Sequence, residues 1–196
     1  RLEVAGSRIL LRVPPHAGPL RLQLAMAAGD EKQIGAIGKA IGAYFAKVND
    51  EGGINGRKIK YLPLDDGYNP AKTVEMARKL VEEEEALLVF NPLGTPSNTA
   101  IQRYMNQKKV PQLFVATGAT KWGNPKDNPW TMGWQPAYQS EAKIFAAHIL
   151  DTRPNARIAV LYQNDDYGKD YLKGFEDGLG DKARTMIVSK ISYEVT

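Results

Sequence analysis

The sequence contains no cysteine, only two histidines and no long apolar run. The absence of cysteine excludes disulfides, thiol nucleophiles and zinc–thiolate sites. No stretch approaches the roughly 20 apolar residues that a membrane-spanning helix needs. The net charge of +4 is small, and the basic residues are spread along the chain. The composition therefore gives no reason to expect nucleic-acid binding.

Motifs that carry catalysis or cofactor binding are also missing. Two residues separate Gly35 from Gly38, and Lys39 precedes an alanine. A phosphate-binding P-loop needs four residues between its glycines, followed by Lys and Ser or Thr. Neither the Gly-x-Gly-x-x-Gly dinucleotide fingerprint nor a Gly-x-Ser-x-Gly nucleophile elbow occurs. The sequence therefore predicts no enzyme, no cofactor and no metal.

Asp65 and Asp66 leave one enzymatic alternative open, because adjacent carboxylates can serve acid–base or metal chemistry. A metal site would need further ligands at fixed spacing, and the only histidines are His16 and His148. The pair ends a predicted strand, where aspartates commonly hold the following turn. We predict this structural role and keep an α/β enzyme as the least favoured hypothesis.

Predicted strands and helices alternate after residue 35. Apolar residues at three- and four-residue spacing predict five helices, at 36–53, 68–85, 95–109, 138–151 and 167–180. Short apolar runs predict five strands, at 57–66, 86–90, 110–116, 157–163 and 185–193. Asn69 before Pro70, and Thr95 before Pro96, are predicted N-caps. This alternation indicates an α/β fold, with a Rossmann-like parallel sheet flanked by helices.

The spacing of the strands predicts two lobes. The strand-to-strand distance nearly doubles between residues 116 and 140, and residues 118–136 are rich in Gly, Pro and Trp without a period. We interpret 118–136 as a long loop or crossover. We therefore predict a first α/β lobe over 34–135, then a crossover helix and partial second lobe over 136–196. Residues 1–33 form an atypical segment with a first strand near 20–26, and their mixed arginines and apolar residues are not typical of a signal peptide.

Two predicted strands end in loops of small polar residues. "NPLGTPSN" follows "LLVF", and "ATGAT" follows "QLFV". In an open parallel sheet, ligands bind beyond the carboxyl ends of the strands, where helix N-termini direct their free amides. Thr95 is suited to meet a carboxylate there, and Gly118 to Thr120 offer bare backbone and a hydroxyl. Two ordinary turns are the alternative to this binding site.

Much of the chain resembles a known family. The stretches that carry the resemblance are "GGINGRKI", "DDGYNP", "TVEMARKLV", "GTPSNTA", "VPQLFVATGAT", "MGWQPAYQSEA" and "IAVLYQNDDYGKDYLKGFEDGLG". Together they resemble the branched-chain amino acid (Leu/Ile/Val) type of periplasmic solute-binding protein, which feeds ABC importers. The resemblance covers residues 35–195. It implies the periplasmic-binding-protein type I fold, in which two hinged lobes close over an amino acid or small carboxylate.

The resemblance also implies roles for single residues. Thr95, followed by Pro96, matches the hydroxyl residue that meets the ligand carboxylate. The loop of Gly118, Ala119 and Thr120 matches the carbonyl and hydroxyl offered to the ligand amino group. Tyr138 lies in the crossover region that lines the cleft. Tyr167 matches the second-lobe aromatic residue that covers the ligand.

The partners and location follow from the same resemblance. They are a small-molecule ligand and the permease subunits of an ABC transporter, with the protein in the periplasm or outside the cell. The Trp-rich segment 120–136 is similar to a subgroup proposed to take up aromatic carboxylates. A ligand-sensing domain of a receptor or transcriptional regulator has the same fold and is the alternative function.

The sequence departs from the family in two places. The Ser-Gly loop that precedes the first helix in the family is absent, and Ile34 stands where an aromatic residue is expected. The chain also ends at Thr196, about half the usual length, which predicts a truncated second lobe. Strand edges left exposed by such a truncation are expected to favour self-association.

Overall fold

The structure is a computed structural model that describes residues 2–5, 8–11, 20–26 and 31–195, with side chains from Ala36 onward. The strands are β1 (Leu2–Ala5), β2 (Arg8–Leu11), β3 (Leu20–Met26), β4 (Ile59–Asp65), β5 (Leu88–Phe90), β6 (Gln112–Val115), β7 (Thr131–Gly133), β8 (Ile158–Gln163) and β9 (Ile187–Tyr193). The α-helices are α1 (Glu31–Asp50), α2 (Pro70–Arg78), α3 (Thr95–Lys108), α4 (Tyr138–Thr152), α5 (Asp166–Leu179) and α6 (Ala183–Met186). A π-helical turn (Lys79–Glu83) extends α2, and 3₁₀ turns follow at Thr120–Gly123 and Gly180–Lys182.

A parallel sheet of five strands, in the order β4-β3-β5-β6-β7, forms the centre of what we call the first unit. β8 and β9 pair in parallel in the second unit, and β1 pairs with β2 as an antiparallel hairpin. The prediction of an α/β fold with a parallel sheet is confirmed. The chain crosses from one side of β3 to the other at β5, and such a switch point is where open α/β sheets bind ligands.

β3 occupies the segment in which the sequence predicts a first strand, and it lies between β4 and β5. It therefore belongs to the sheet of the first unit, although it precedes residue 34, where the first lobe was predicted to begin. Residues 27–30, within the stretch where the Ser-Gly loop expected from the resemblance is absent, lie outside the described residues. The side chain of Ile34 lies outside them as well.

Helices cover both faces of the five-stranded sheet. On one face, Phe45 of α1 packs with Ile59, Leu88 and Leu113. On the other face, Ala77 of α2 and Ile101 and Met105 of α3 form a core with Val89 of β5. Burying each large apolar side chain contributes about 1.5–3 kcal/mol. Ile37 and Tyr44 of α1 are exposed, although they stand at the apolar spacing that predicts this helix.

Residues 118–136 are not the continuous loop that the sequence predicts. They contain the 3₁₀ turn and β7, which extends the sheet beside β6. A strand of three residues is too short to show a period. Phe114, which lies in the apolar run that predicts β6, has a φ of +55° and is 37% exposed. The register of β6 against β7 shifts there between Leu113 and Val115, and such an irregularity turns a side chain outward.

The second unit consists of β8 and β9 with α4, α5 and α6. Ala146, Leu179 and Met186 form its core. Gly174 allows α5 to approach α4 closely, since a Cβ there would lie 2.4 Å from the Gln139 carbonyl oxygen. Among the described residues, no helix combines the length and the apolar character needed to cross a bilayer.

Candidate functional site

The N-terminus of α3 lies at the carboxyl end of β5, next to the switch point of the sheet. Gly94, with a φ of +96°, is the N-cap, and Thr95 and Pro96 are the first helical residues. The prediction of Thr95 as the N-cap is therefore wrong by one residue, because its hydroxyl turns towards the neighbouring loop instead of capping α3. Asn98 fixes the approach of the chain, donating to the carbonyls of Pro92 at 3.0 Å and Gly94 at 2.8 Å.

Thr95 and Thr117 join the loops that follow β5 and β6. Their hydroxyl oxygens are 2.5 Å apart, and both residues are buried. Thr117 Oγ1 also accepts from the Ala119 amide at 3.2 Å and from Trp122 Nε1 at 3.3 Å. A hydroxyl has one proton and two lone pairs, so Thr117 donates its proton to Thr95. The proton of the Thr95 hydroxyl is then available for another acceptor.

The small residues after β6 allow α4 to begin against this loop. The Gly118 carbonyl accepts from the Tyr138 amide at 2.8 Å. A Cβ on Gly118 would lie 2.5 Å from the Pro136 carbonyl oxygen and 2.8 Å from Tyr138 Cδ1. Ala119 is buried in a small core with Val115 and Trp122. Packing therefore accounts for much of the smallness that the sequence reading connected with a ligand.

Thr120 is exposed and is bonded to the second unit. Its amide donates to Asp170 Oδ2 at 2.6 Å, and its hydroxyl lies 3.1 Å and 3.0 Å from Asp170 Oδ1 and Oδ2. A carboxylate of the protein therefore engages the hydroxyl that the resemblance offers to a ligand amino group, and its contact with a ligand stays a prediction.

The first turns of α4 and α5 bring three tyrosines together. The ring of Tyr138 packs edge-on against Tyr167 at 5.0 Å between centroids and stacks on Tyr171 at 4.8 Å. Burial raises the pKa of Tyr167 and of Tyr171. The Tyr171 hydroxyl also donates to Glu141 Oε2 at 2.6 Å, which raises its pKa further. The phenols of Tyr167 and Tyr171 are therefore neutral hydrogen-bond donors at physiological pH.

Tyr68 is a site residue that the sequence reading missed. A Cβ on Gly94 would lie 2.6 Å from Tyr68 Cε2, so this ring covers the start of α3. The Tyr68 pKa is raised mainly by burial, while a hydrogen bond with Gln163 at the end of β8 lowers it. The signal was present in the sequence, since "GYNP" directly follows the strand predicted at 57–66.

Asp65 and Asp66 hold the turn that carries Tyr68. Asp65 Oδ1 accepts from the Gly67 amide at 2.8 Å, and Asp66 Oδ1 accepts from the Tyr68 amide at 2.9 Å. Asp66 Oδ2 accepts from the Thr73 hydroxyl at 2.5 Å. The predicted structural role of this pair is confirmed. In the part of the chain with described side chains, no three His, Asp or Glu residues are placed to hold a metal ion.

The tryptophans of segment 120–136 line a different space from the tyrosines. A cavity of about 750 Å³ is bordered by Trp122, Trp130 and Trp134 together with residues 117–120. Thr95, Tyr68 and Tyr167 are not part of its lining. The cavity therefore shares residues 117–120 with the candidate site, and Trp122 contacts that site through its hydrogen bond to Thr117.

Comparison with known proteins matches residues 30–196 to the family described as "Periplasmic binding protein". The "Leucine-specific-binding protein" of Salmonella typhimurium (strain LT2) is 26% identical over 136 residues, which are 67% of this chain and 35% of that protein. The chain therefore spans about a third of the length of this curated relative.

Solved structures agree in fold. A "substrate-binding periplasmic protein" from Ralstonia solanacearum matches 89% of this chain and 49% of its own, with a TM-score of 0.75 and 26% identity. A "solute binding protein of ABC transporter" from Rhodopseudomonas palustris BisB5, solved with 3,4-dihydroxybenzoic acid, matches 90% of this chain and 47% of its own. Its TM-score is 0.72 at 18% identity, which supports the fold alone.

Proposed function

The chain belongs to the periplasmic binding protein family, and from this premise we propose that it is the ligand-binding part of a solute-binding protein of an ABC importer. The proposed ligand is an amino acid or a related small carboxylate, aromatic ones included. The proposed location is the periplasm or the cell exterior, and the proposed partners are the ligand and the permease subunits. Binding and delivery involve no chemical reaction, so we propose no enzymatic role.

One observation carries this proposal. The loops that follow two adjacent parallel strands meet through the Thr95–Thr117 hydrogen bond. Tyr138 lies against Gly118 of the second loop, and Tyr167 packs edge-on against Tyr138. We propose that the two units act as lobes, divided after residue 135. The proposed ligand-binding residues are Thr95, Pro96, Gly118, Ala119, Thr120, Tyr138 and Tyr167. Tyr68 is added to them because its ring covers Gly94.

The proposed mechanism uses the free proton of Thr95. A ligand carboxylate docks at the N-terminus of α3, where the helix dipole and unpaired backbone amides favour negative charge. Thr95 donates its hydroxyl proton to that carboxylate, because Thr117 already supplies the proton that Thr95 accepts. The tyrosine rings then exclude water, which strengthens these hydrogen bonds.

Titration calorimetry with leucine and with 3,4-dihydroxybenzoate tests the site. Thr95→Val is expected to weaken binding of the better compound about tenfold or more, since it removes a charge-assisted hydrogen bond. Thr117→Val is expected to weaken it by leaving Thr95 without its donor, and Thr117→Ser to restore it. Thr185→Val is the control, because that exposed threonine donates to the Lys182 carbonyl within the second unit. Unchanged affinity in Thr95→Val would overturn the proposed carboxylate site.

A further inference from the structure

The loop after β6 is tied to α5 by a second set of contacts that no ligand role explains. Thr120 donates two hydrogen bonds to the Asp170 carboxylate, one from its backbone amide and one from its hydroxyl. Gln139 of α4 donates a third through Nε2, at 2.7 Å from Asp170 Oδ1. Three donors around one carboxylate make a strong contact, since charge-assisted hydrogen bonds are about twice as strong as neutral ones.

The next loop residue is held by the preceding turn of the same helix. Lys121 Nζ lies 2.9 Å from Asp166 Oδ2, and it also lies 3.2 Å from the Thr99 hydroxyl of α3. Asp166 and Asp170 are four residues apart on α5 and therefore share one face of it. Two carboxylates on one helix face thus hold two consecutive residues of the loop.

The chemistry of these contacts identifies what Thr120 does. Both groups that Thr120 presents to Asp170 are donors, and their partner is negatively charged. A ligand amino group would be a competing donor and would be poorly matched to this amide. The exposed Lys121–Asp166 pair alone would stabilise the contact weakly, but the three-donor arrangement at Asp170 adds to it.

We propose that Asp166 and Asp170 form a clasp that holds the two units together before any ligand binds, with Asp170 as the positioning residue for the Thr120 end of the loop. The inference rests on the proposed function only in that this loop is half of the proposed site. In the clasp, the amide and hydroxyl of Thr120 serve closure, so a ligand contact by this hydroxyl competes with Asp170. Because the clasp already stabilises the closed arrangement, the ligand spends less of its binding free energy on closure.

The absence of cysteine makes a distance measurement straightforward. Glu75→Cys in α2 and Lys182→Cys beyond α5 place spin labels on two exposed residues, one in each unit. Pulsed electron paramagnetic resonance on the full chain without ligand then reports the separation of the units. Asp170→Asn is expected to raise the ratio of long to short distances about tenfold, because an amide nitrogen replaces one accepting oxygen. Asp166→Asn is expected to raise it only about twofold.

Two further variants keep the result interpretable. Thr120→Val retains the backbone amide and removes the hydroxyl, so an intermediate rise of about threefold is expected. Asp177→Asn is the matched control on the same helix, because Asp177 pairs with Lys173 and Lys143 within the second unit. If Asp170→Asn and Thr120→Val gave the distance distribution of Asp177→Asn, the clasp would be wrong. The distance measurement contains no ligand, so this result would not contradict the proposed function. Failure of leucine and 3,4-dihydroxybenzoate to bind would, in turn, not contradict the clasp.

Discussion

Tyr61 illustrates how a single hydroxyl can cost stability in this fold. Its ring packs edge-on against Phe45 at 5.6 Å, but its buried hydroxyl has no hydrogen-bond partner among the described residues. A buried polar group without a partner loses its hydration and gains nothing in return. We therefore expect Tyr61→Phe to raise the free energy of unfolding by about 1 kcal/mol at pH 7. Urea denaturation measures this change.

The Tyr61 hydroxyl also makes the free energy of unfolding depend on pH. Burial raises the Tyr61 pKa from 10.0 to about 12, so the folded state binds this proton more tightly than the unfolded state. The associated stability is fully present below pH 10 and is lost as the pH rises towards 12. In Tyr61→Phe, the free energy of unfolding should decline less steeply above pH 10.

Tyr104→Phe is the control for both effects. The Tyr104 pKa is also raised to about 12, first by burial and then by its hydrogen bond to Glu82, but its hydroxyl has this partner at 2.9 Å. It should therefore flatten the alkaline decline without adding stability at pH 7. A destabilised Tyr61→Phe at pH 7 would show that its hydroxyl has a favourable contact after all.

At the scale of elements, buried amides hold α3 against the strands that carry the candidate site. Asn98 donates to two carbonyls of the loop before α3 and accepts from Gln112 Nε2 of β6 at 2.7 Å. Both side chains are buried. Asn98→Leu should lower the free energy of unfolding by about 2–4 kcal/mol, because it leaves these groups buried without partners.

The loop itself provides a local measurement of that prediction. The Ala116 amide donates to the Pro92 carbonyl at 2.8 Å, so its hydrogen exchange reports whether this loop stays in place. Exchange at Ala116 should become faster in Asn98→Leu. Asn155→Leu, at an exposed turn, should change neither stability nor exchange by more than small amounts. Equal exchange rates at Ala116 in the two variants would show that Asn98 does not anchor the loop.

Sequence reading succeeded where the signal was local. Asn69 before Pro70 predicts the start of α2, and Asn69 Oδ1 accepts from the amides of Ala71 and Lys72. β7 escaped prediction because three residues carry no period, and the N-cap of α3 was misplaced because Gly94 adopts a positive φ. The fold class follows from repeated local patterns, whereas such boundaries depend on backbone conformations that neighbours impose.

At the scale of the whole molecule, the sequence did not predict the long-range contacts. Thr120 and Asp170 are 50 residues apart, and neither stands in a pattern that pairs them. Thr117 was read only as part of a small-residue run, although its hydroxyl orients Thr95 from 22 residues away. The resemblance supplied Thr95 and Tyr167 by position, but the chain's own partners for those residues emerge only from the packing of the two units.

The sheet of the second unit has an exposed apolar surface, through which we expect it to associate with a second copy. Leu161 and Ile191 are neighbours in register and are 70% and 59% exposed. Among the described strands, none pairs with the outer edges of β8 and β9. A second chain offers the same apolar pair and the same free edges, so the contact is self-complementary. We expect dimers at tens of micromolar in sedimentation velocity, by order-of-magnitude reasoning from apolar burial.

Leu161→Gln should weaken dimerisation about tenfold, whereas Ile144→Gln, at an equally exposed site on α4, should not. Equal weakening by both variants would assign the contact to the helical side of the second unit.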